Sequence, residues 1–240
     1  MRVNVGTAGW ALPAAERHHF GEGPSNLARY ATRLNCVEIN SSFYRRHRPA
    51  TWQRWADSVP HDFRFAVKIP KTITHARGLD DCDAMVDEFA SDVRGLGEKF
   101  AVVLVQLPPK LAFNADVALA FFATLRSRVE AHIVCEPRHP SWFDDQAERM
   151  LIESGVARAA ADPAVVPSAS RPGGSRGLQY WRLHGSPAIY RSSYNPDAIA
   201  RIASALGEAG AHAETWCIFD NTASSAATPN ALDLIAAVSS

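Results

Sequence analysis

The sequence predicts an α/β fold, namely a single (β/α)8 TIM barrel with one closed parallel sheet over residues 1–240. Short apolar runs alternate with amphipathic segments, a pattern typical of parallel strands joined by helical crossovers. The chain has 240 residues, close to the roughly 250 of such a barrel. Polar residues follow almost every apolar run directly, and barrel enzymes carry their active sites at the carboxyl ends of the strands.

Eight strands and seven helices account for most of the chain. The predicted strands are residues 3–8, 36–41, 63–69, 101–107, 132–136, 156–161, 178–183 and 214–219. The predicted helices are residues 27–34, 51–58, 83–96, 115–129, 144–154, 197–208 and 229–238. Ser25 and Asn114 are predicted caps. Residues 163–177 are rich in Pro, Ser and Gly, so a loop is expected in place of the sixth helix. An open doubly wound sheet is the rival fold, but its Gly-rich phosphate fingerprint is absent.

The composition limits the classes of partner. Lys plus Arg and Asp plus Glu both number 25, whereas a protein that grips nucleic acid over a broad surface usually carries a basic excess. The four cysteines form no CxxC pair, which favours buried thiols over disulfides or zinc ligands. The first residues lack the apolar stretch of a signal peptide, and no run approaches the roughly 20 apolar residues of a membrane span. We therefore expect a cytoplasmic protein without membrane contact, whose oligomeric state stays open.

Alternation along the strands predicts which side chains point into the barrel. Val37 and Ile39 should face the helices, so Glu38 and Asn40 should point inward. The same parity selects further inward polar side chains, namely Lys68, Gln106, Glu136, Arg138, Arg182, His184 and Asp220. Burial of so many charges is costly unless they pair or meet a ligand. We therefore predict a ligand site at the barrel mouth, and a structural ion-pair network that plugs the barrel end is the alternative.

Several sequence blocks point to a known family. Residues 37–44 read VEINSSFY, residues 65–71 read FAVKIPK, and residues 73–75 read ITH. Residues 104–109 read LVQLPP, residues 136–142 read EPRHPSW, and residues 182–185 read RLHG. In this order the blocks resemble the domain of unknown function 72 family, also called YecE-like proteins. The resemblance covers essentially the whole chain and implies a TIM barrel, but it implies no reaction because the family has no established activity.

Three positions depart from the pattern of the family that the chain resembles. Lys71 stands where Arg is common, which keeps the charge but loses the bidentate geometry of a guanidinium. Pro137 stands where Phe is usual, and Asp220 stands where the pattern favours Asn. The change at Asp220 adds a carboxylate at that position.

The first functional hypothesis is an enzyme that acts on a small anionic, phosphate-bearing ligand. Guanidinium forks suit phosphate oxygens, and positioned carboxylates, imidazoles or amines suit acid–base chemistry. Lys68 inside a barrel could also act as a base or as a Schiff-base nucleophile. The candidate catalytic residues are Glu38, Lys68, Glu136, His184 and Asp220. The candidate ligand-binding residues are Asn40, Tyr44, Lys71, His75, Gln106, Arg138, His139, Trp142, Asp162, Arg182, Tyr190, Tyr194 and Asn221. The reaction stays open among a hydrolase, a lyase and an isomerase.

Two alternatives remain. Aromatic and basic residues on the same loops would suit nucleic-acid binding, and the clustered acidic and histidine residues would suit metal-assisted phosphodiester hydrolysis. No HxH or HxxE pair appears, so the signal for a divalent metal is weak. No cofactor and no metal ligands are assigned, and a divalent metal stays open as an alternative. A non-catalytic ligand-binding module is the second alternative, because fold does not fix function.

Overall fold

The computed structural model describes residues 3–210 and 213–238 and shows a mixed α/β fold with two mostly parallel sheets. The strands are β1 (Val3–Thr7), β2 (Cys36–Ile39), β3 (Arg64–Lys68), β4 (Phe100–Gln106), β5 (His132–Glu136), β6 (Ala157–Arg158), β7 (Ala160–Asp162), β8 (Gly173–Gly174), β9 (Leu178–Leu183) and β10 (Glu214–Phe219). One sheet has the order β1-β10-β9-β7 and the other β2-β3-β4-β5-β6-β8. All pairs are parallel except β6 with β8.

Helices follow most of the strands, as the sequence predicts. They are α1 (Asn26–Tyr30), α2 (Pro49–Asp57), α3 (Asp83–Val93), α4 (Ala115–Arg128), α5 (Asp145–Glu153), α6 (Pro196–Gly210) and α7 (Ala227–Val238). The predicted caps are confirmed, because Ser25 accepts a hydrogen bond from the Ala28 N–H and Asn114 accepts one from the Val117 N–H. Such caps satisfy N–H groups that have no partner inside the helix.

The two sheets meet at both of their edges. A single parallel bridge joins Ala8 to Glu38, and the Gly9 N–H donates to the Glu38 carbonyl at 2.8 Å. On the other side, β6 pairs with β5 and β7 pairs with β9, while the intervening Ala159 donates its N–H to the Cys135 carbonyl at 2.9 Å. The fold is thus TIM-barrel-like, but the ladder is interrupted at these two points, and the one closed sheet that the sequence predicts is not shown.

The two faces of the strands carry separate apolar clusters. Val37 and Ile39 pack in the larger cluster with helical residues such as Leu27, as predicted for the outer face. The smaller cluster consists of the residues of opposite parity, including Ala66 and Tyr180. Because side chains two positions apart share a face, the charged side chains at the strand ends continue the inner cluster. The charged side chains therefore lie at the carboxyl ends of the strands, where the apolar interior ends.

Some boundaries differ from the predictions for local reasons. The second strand ends at Ile39 rather than at residue 41, because Ser41–Phe43 forms a 3-10 turn. The third helix ends at Val93 and continues as a 3-10 segment, Arg94–Lys99, that contains Gly97 with φ of 55°. The segment 163–177 contains no α-helix, but it holds a 3-10 turn and the two-residue strand β8.

Two smaller expectations concern cysteine and the membrane. All four cysteines are buried thiols, as predicted. Within residues 3–210 and 213–238, no helix has both the length and the apolar character needed to cross a membrane.

Candidate functional site

Arg182, near the end of β9, is the centre of a buried ion network. The side chain is 1% exposed. Its Nε lies 2.9 Å from Glu38 Oε2, and its Nη2 lies 2.6 Å from Glu38 Oε1. Its Nη1 lies 3.0 Å from Glu136 Oε2, and its Nη2 lies 3.0 Å from Asp220 Oδ2. One guanidinium group thus holds three carboxylates, which come from β2, from β5 and from the residue after β10.

His184 connects two of these carboxylates. Its Nδ1 lies 3.0 Å from Asp220 Oδ2, and its Nε2 lies 2.9 Å from Glu136 Oε1. Arg138 closes this side of the network, since its Nη2 lies 2.5 Å from the same Glu136 oxygen and 2.7 Å from His184 Nε2. The predicted catalytic residues Glu136, His184 and Asp220 are therefore brought together, but they are largely saturated by one another and by arginine.

Two carboxylates of the network, those of Glu136 and Asp220, stay ionised because of their partners. Burial alone would raise the pKa of Glu136, but the charges of Arg138 and Arg182 outweigh it and hold that pKa well below its usual value. The pKa of Asp220 is lowered for the same reason, because Arg182 and a hydrogen bond to His184 outweigh burial. These groups behave as fixed charges rather than as groups that exchange protons near neutral pH.

Lys68, at the end of β3, is the exception in the cluster. The side chain is only 6% exposed, and its Nζ lies 3.9 Å from the centroid of the Phe43 ring. Within the described residues the ammonium has no hydrogen bond and no ion pair. Burial, followed by the charge of Arg182, lowers the pKa of Lys68 to about 8, against the opposing effect of the three carboxylates. Lys68 therefore changes its protonation state near physiological pH.

Three further buried polar atoms at the strand ends lack partners. Arg138 Nε, Asn40 Oδ1 and Asn221 Oδ1 are buried and have no hydrogen bond within the described residues. An unsatisfied buried donor or acceptor costs roughly 1–3 kcal/mol. Together with the Lys68 ammonium, these atoms offer donors and acceptors that a ligand or solvent can satisfy.

Positive charge accumulates beside Lys68. Burial and then the charges of Lys68, Lys110 and Lys71 lower the pKa of His75, which shows that the three lysines act on one region. Lys71 and Lys110 are exposed, and Lys71 Nζ lies 5.9 Å from the centroid of the Tyr44 ring. This side of the strand ends is therefore electropositive and open to solvent.

Several predicted ligand-binding residues are occupied by hydrogen bonds to loop residues. The Trp142 indole N–H donates to the Leu111 carbonyl at 3.0 Å, and the side chain is 1% exposed. Gln106 donates to the neighbouring Leu107 carbonyl at 2.7 Å, and His139 Nδ1 lies 2.8 Å from Ser141 Oγ. In this structure these three side chains stabilise loops.

The loop after β9 is fixed by three other predicted residues. The Tyr194 hydroxyl donates to Asp162 Oδ2 at 2.7 Å and accepts from the Gly185 N–H at 2.9 Å. The Asn221 amide donates to the Ser192 carbonyl and to Asn230 Oδ1, both at 2.9 Å. These contacts position the segment that passes over the ion network.

Tyr190, Tyr44 and Tyr180 differ in exposure. Tyr190 is 46% exposed, has a φ of 67°, and has its ring centroid 5.6 Å from that of His184. Tyr44 is exposed beside Phe43. Tyr180, which the sequence analysis missed, is buried and donates to Glu38 Oε2 at 3.0 Å. Tyr180 lies two residues before Arg182 on β9 and therefore on the same face of the strand, so alternation along the strand could have identified it as an inward-pointing residue.

A cavity of about 240 Å³ lies beside the cluster. Its apolar wall includes Phe43, Ile73 and Phe89, and its charged rim includes Lys71 and Arg46. Arg46 is held by a bidentate ion pair with Asp92, in which both N···O distances are 2.8 Å. The Phe43 ring lines this cavity and also lies beneath the Lys68 ammonium. Lys68 itself does not line the cavity, so the Phe43 ring lies between the cavity and the strand-end cluster.

The described residues contain no group of three or more His, Cys, Asp or Glu side chains arranged to hold a metal ion. Glu38, Glu136 and Asp220 are paired with Arg182, and Asp162 accepts a hydrogen bond from Tyr194.

Comparison with known proteins gives one family and one fold. The model of the family described as protein of unknown function DUF72 matches residues 4–240. The chain is 29% identical over 174 residues to UPF0759 protein YecE of Escherichia coli O157:H7, an alignment that covers 71% of the chain and 62% of the relative. The chain thus spans less than two thirds of the length of this curated relative.

Two solved structures resemble the fold. A DUF72 family protein of Enterococcus faecalis V583 has a TM-score of 0.82 at 20% identity and covers 100% of this chain and 96% of its own. A xylose isomerase-like TIM barrel/4-hydroxyphenylpyruvate dioxygenase fusion protein has a TM-score of 0.54 at 13% identity and covers 99% of this chain and 42% of its own. At these identities the likeness concerns the fold alone, which is TIM-barrel-like.

Proposed function

The chain belongs to the DUF72 family of proteins of unknown function, and we propose that its strand ends bind a small anionic, phosphate-bearing ligand as the substrate of an enzyme. The observation that carries this proposal is the buried Lys68 ammonium, which has no hydrogen bond or ion pair within the described residues. The lowered pKa of Lys68, about 8 instead of 10.5, corresponds to a cost of about 3 kcal/mol for holding this charge in the folded protein. An anion bound to Lys68 would recover part of that cost.

The charge balance around the strand ends supports an anion. Glu38, Glu136 and Asp220 are matched by Arg182, Arg138 and Lys68. Lys71 and Lys110 add two further positive charges on the solvent side, beside Lys68. Such a local surplus attracts anions even though the whole chain carries no net charge. The unpartnered Arg138 Nε adds a further donor.

Acid–base chemistry in the proposed enzyme is assigned to Lys68. The hypothesis that Glu38 and Glu136 act as acid and base is disfavoured, because both carboxylates accept hydrogen bonds from Arg182. A group that exchanges protons efficiently has a pKa near the working pH, and the pKa of Lys68, about 8, meets that condition. The paired carboxylates then serve to hold Arg182 and His184 rigidly beneath the ligand.

The proposal includes one barrel that spans residues 1–240. The bridge from Ala8 to Glu38 and the hydrogen bond from Ala159 to Cys135 support a continuous ring of strands, because they join the two sheets at both edges. In a barrel of this kind the strand ends converge on one mouth, where barrel enzymes bind their substrates.

Titration with sulfate, whose charge is constant between about pH 6 and pH 10, tests the binding site. We expect calorimetry to detect binding at pH 7 and a steep loss of affinity as the pH rises through about 8, because the Lys68 ammonium then loses its proton. Lys68→Met should weaken binding at least about tenfold, which corresponds to about 1.4 kcal/mol. Lys99→Met is the matched control, because Lys99 donates to the Ala56 and Val59 carbonyls away from this cluster.

Equal sulfate affinity in the wild type and in Lys68→Met would contradict the proposal. Inorganic phosphate is the second probe, and its binding is measured by calorimetry at a single pH. Salt-sensitive binding of single-stranded DNA that survives Lys68→Met would instead favour the nucleic-acid alternative.

A further inference from the structure

We propose that the Lys68 amine forms an imine with the carbonyl group of its ligand, so that the ligands of this site are small anions that carry an aldehyde or a ketone. This inference rests on the anion site proposed above and names the substrate class of that site. It uses Lys68 as a covalent nucleophile and not only as a positive charge.

The geometry leaves the Lys68 nitrogen free to react. A lysine held by a carboxylate remains an ammonium without a lone pair, but here the nearby carboxylates are committed to other groups. Glu38 is bound by Arg182 and Tyr180, and Glu136 is bound by Arg182, Arg138 and His184. Lys68 Nζ instead lies over the face of the Phe43 ring, 3.9 Å from the ring centroid. The ring supports the side chain without a hydrogen bond to its nitrogen.

The charges that surround Lys68 make the neutral amine accessible near pH 7. Burial and Arg182 on β9 lower its pKa, whereas Glu38 on β2, Glu136 on β5 and Asp220 after β10 raise it. The result is a pKa of about 8, so roughly a tenth of the side chain is neutral at pH 7. The pKa of His75 is lowered by burial and by the charge of Lys68, and the centroid of the His75 ring lies 5.0 Å from that of the same Phe43 ring that contacts Lys68. Desolvation and a neighbouring cation are the usual means of activating a lysine for imine formation.

The chemical step balances without an added oxidant or reductant. Nζ attacks the carbonyl carbon and forms a C–N bond, while the carbonyl electron pair moves to oxygen, which takes up a proton. The nitrogen, which gave up one proton before the attack, gives up a second one, and the hydroxyl oxygen takes up a second proton, so that the C–O bond breaks and the oxygen leaves as water. Ammonium plus carbonyl thus gives iminium plus water, and the net charge does not change. Because the iminium keeps the positive charge of Lys68, the balance with the three carboxylates is maintained.

The surrounding cations explain why the carbonyl compound should be an anion. Lys71 and Lys110 are exposed and act on the same region as Lys68. A carboxylate or phosphate group attracted by these two lysines would hold a neighbouring carbonyl group in the region of Lys68. A neutral aldehyde of the same size would lack this orientation.

Borohydride trapping tests the inference. The protein is incubated with glyoxylate or with dihydroxyacetone phosphate at pH 7 to 8 and then reduced with sodium borohydride. We expect the intact mass to rise by that of one ligand less one oxygen atom, and peptide mapping to place the adduct on Lys68. Labelling of Lys68 should exceed that of Lys99 and Lys110 at least about tenfold, because Lys68 lies in the proposed anion site, whereas Lys99 Nζ donates to two backbone carbonyls elsewhere and Lys110 is exposed.

Lys68→Arg is the matched variant, since it keeps a cation but has no amine that forms an imine. It should therefore lose the adduct. Sulfate binding in the wild type with no adduct at Lys68 from either carbonyl compound would overturn the imine and leave the anion site standing. Absence of both sulfate binding and adduct would overturn both proposals. Equal labelling of Lys68, Lys99 and Lys110 would also overturn the imine. This comparison is made on the wild-type protein and therefore does not depend on whether Lys68→Arg folds.

Discussion

Replacing Arg182 with methionine should lower the free energy of unfolding by about 3–5 kcal/mol, because it leaves buried carboxylates without their shared cation. Glu38, Glu136 and Asp220 all contact this guanidinium at 3.0 Å or less. Domains of this kind typically have a stability of about 5–15 kcal/mol, so the loss would be a large share of the total. Urea unfolding at pH 7, followed by far-ultraviolet circular dichroism, measures it.

Arg191→Met is the matched control for Arg182→Met. Arg191 is exposed, so its replacement should change the free energy of unfolding by no more than about 0.5 kcal/mol. A loss below about 1 kcal/mol in Arg182→Met would contradict the assignment of Arg182 as the centre of the network.

Lys68→Met should have the opposite effect and raise the free energy of unfolding by up to about 3 kcal/mol at pH 7. The folded pKa of Lys68 is about 8, below its ordinary value of 10.5, so the folded state binds this proton less tightly than the unfolded state. Stability is therefore reduced below pH 8 and recovers as the pH rises from about 8 to 10.5. The gain from methionine should be full below pH 8 and should vanish near pH 10.5.

Lys99→Met provides the contrast for Lys68→Met. Lys99 Nζ donates to two backbone carbonyls at 2.6 and 2.7 Å, so its replacement leaves acceptors unpaired and should destabilise the protein at every pH. The measurement is urea unfolding of the wild type, of Lys68→Met and of Lys99→Met at pH 7 and at about pH 10.5. If Lys68→Met were as destabilising as Arg182→Met, Lys68 would belong to the supporting network and not to a ligand site.

Opposite signs for Arg182 and Lys68 would separate two roles within one cluster. Residues retained for binding often reduce stability, whereas residues of a supporting network contribute to it. The Asp220 carboxylate belongs to the second group, because it pairs with both Arg182 and His184. The departure from the family pattern at this position therefore adds a third anion to the network.

The features that depend on local periodicity were predicted from the sequence. The positions of the strands, the outward orientation of Val37 and Ile39, and the caps Ser25 and Asn114 are confirmed, because alternation and capping act within a few residues. The interruption of the sheet near Ala159 was not predicted, since pairing between distant strands leaves no local signal.

The division of labour among the charged residues could not be predicted. Parity placed Glu38, Lys68 and Arg182 in one interior, but it could not show that Arg182 binds the carboxylates and leaves Lys68 without a partner. That outcome depends on distances between strands. The same limit applies to Trp142, whose indole N–H is occupied by a carbonyl 31 residues away along the chain.

The most direct test of the anion site is a crystal structure of the protein soaked in tungstate at pH 7, with the anomalous signal used to locate the ion. We expect a peak within hydrogen-bond distance of Lys68 Nζ, with Arg138 Nε as a second donor. A map with no peak there, in which Lys68 Nζ instead forms an ion pair with Glu38 or Glu136, would contradict the account.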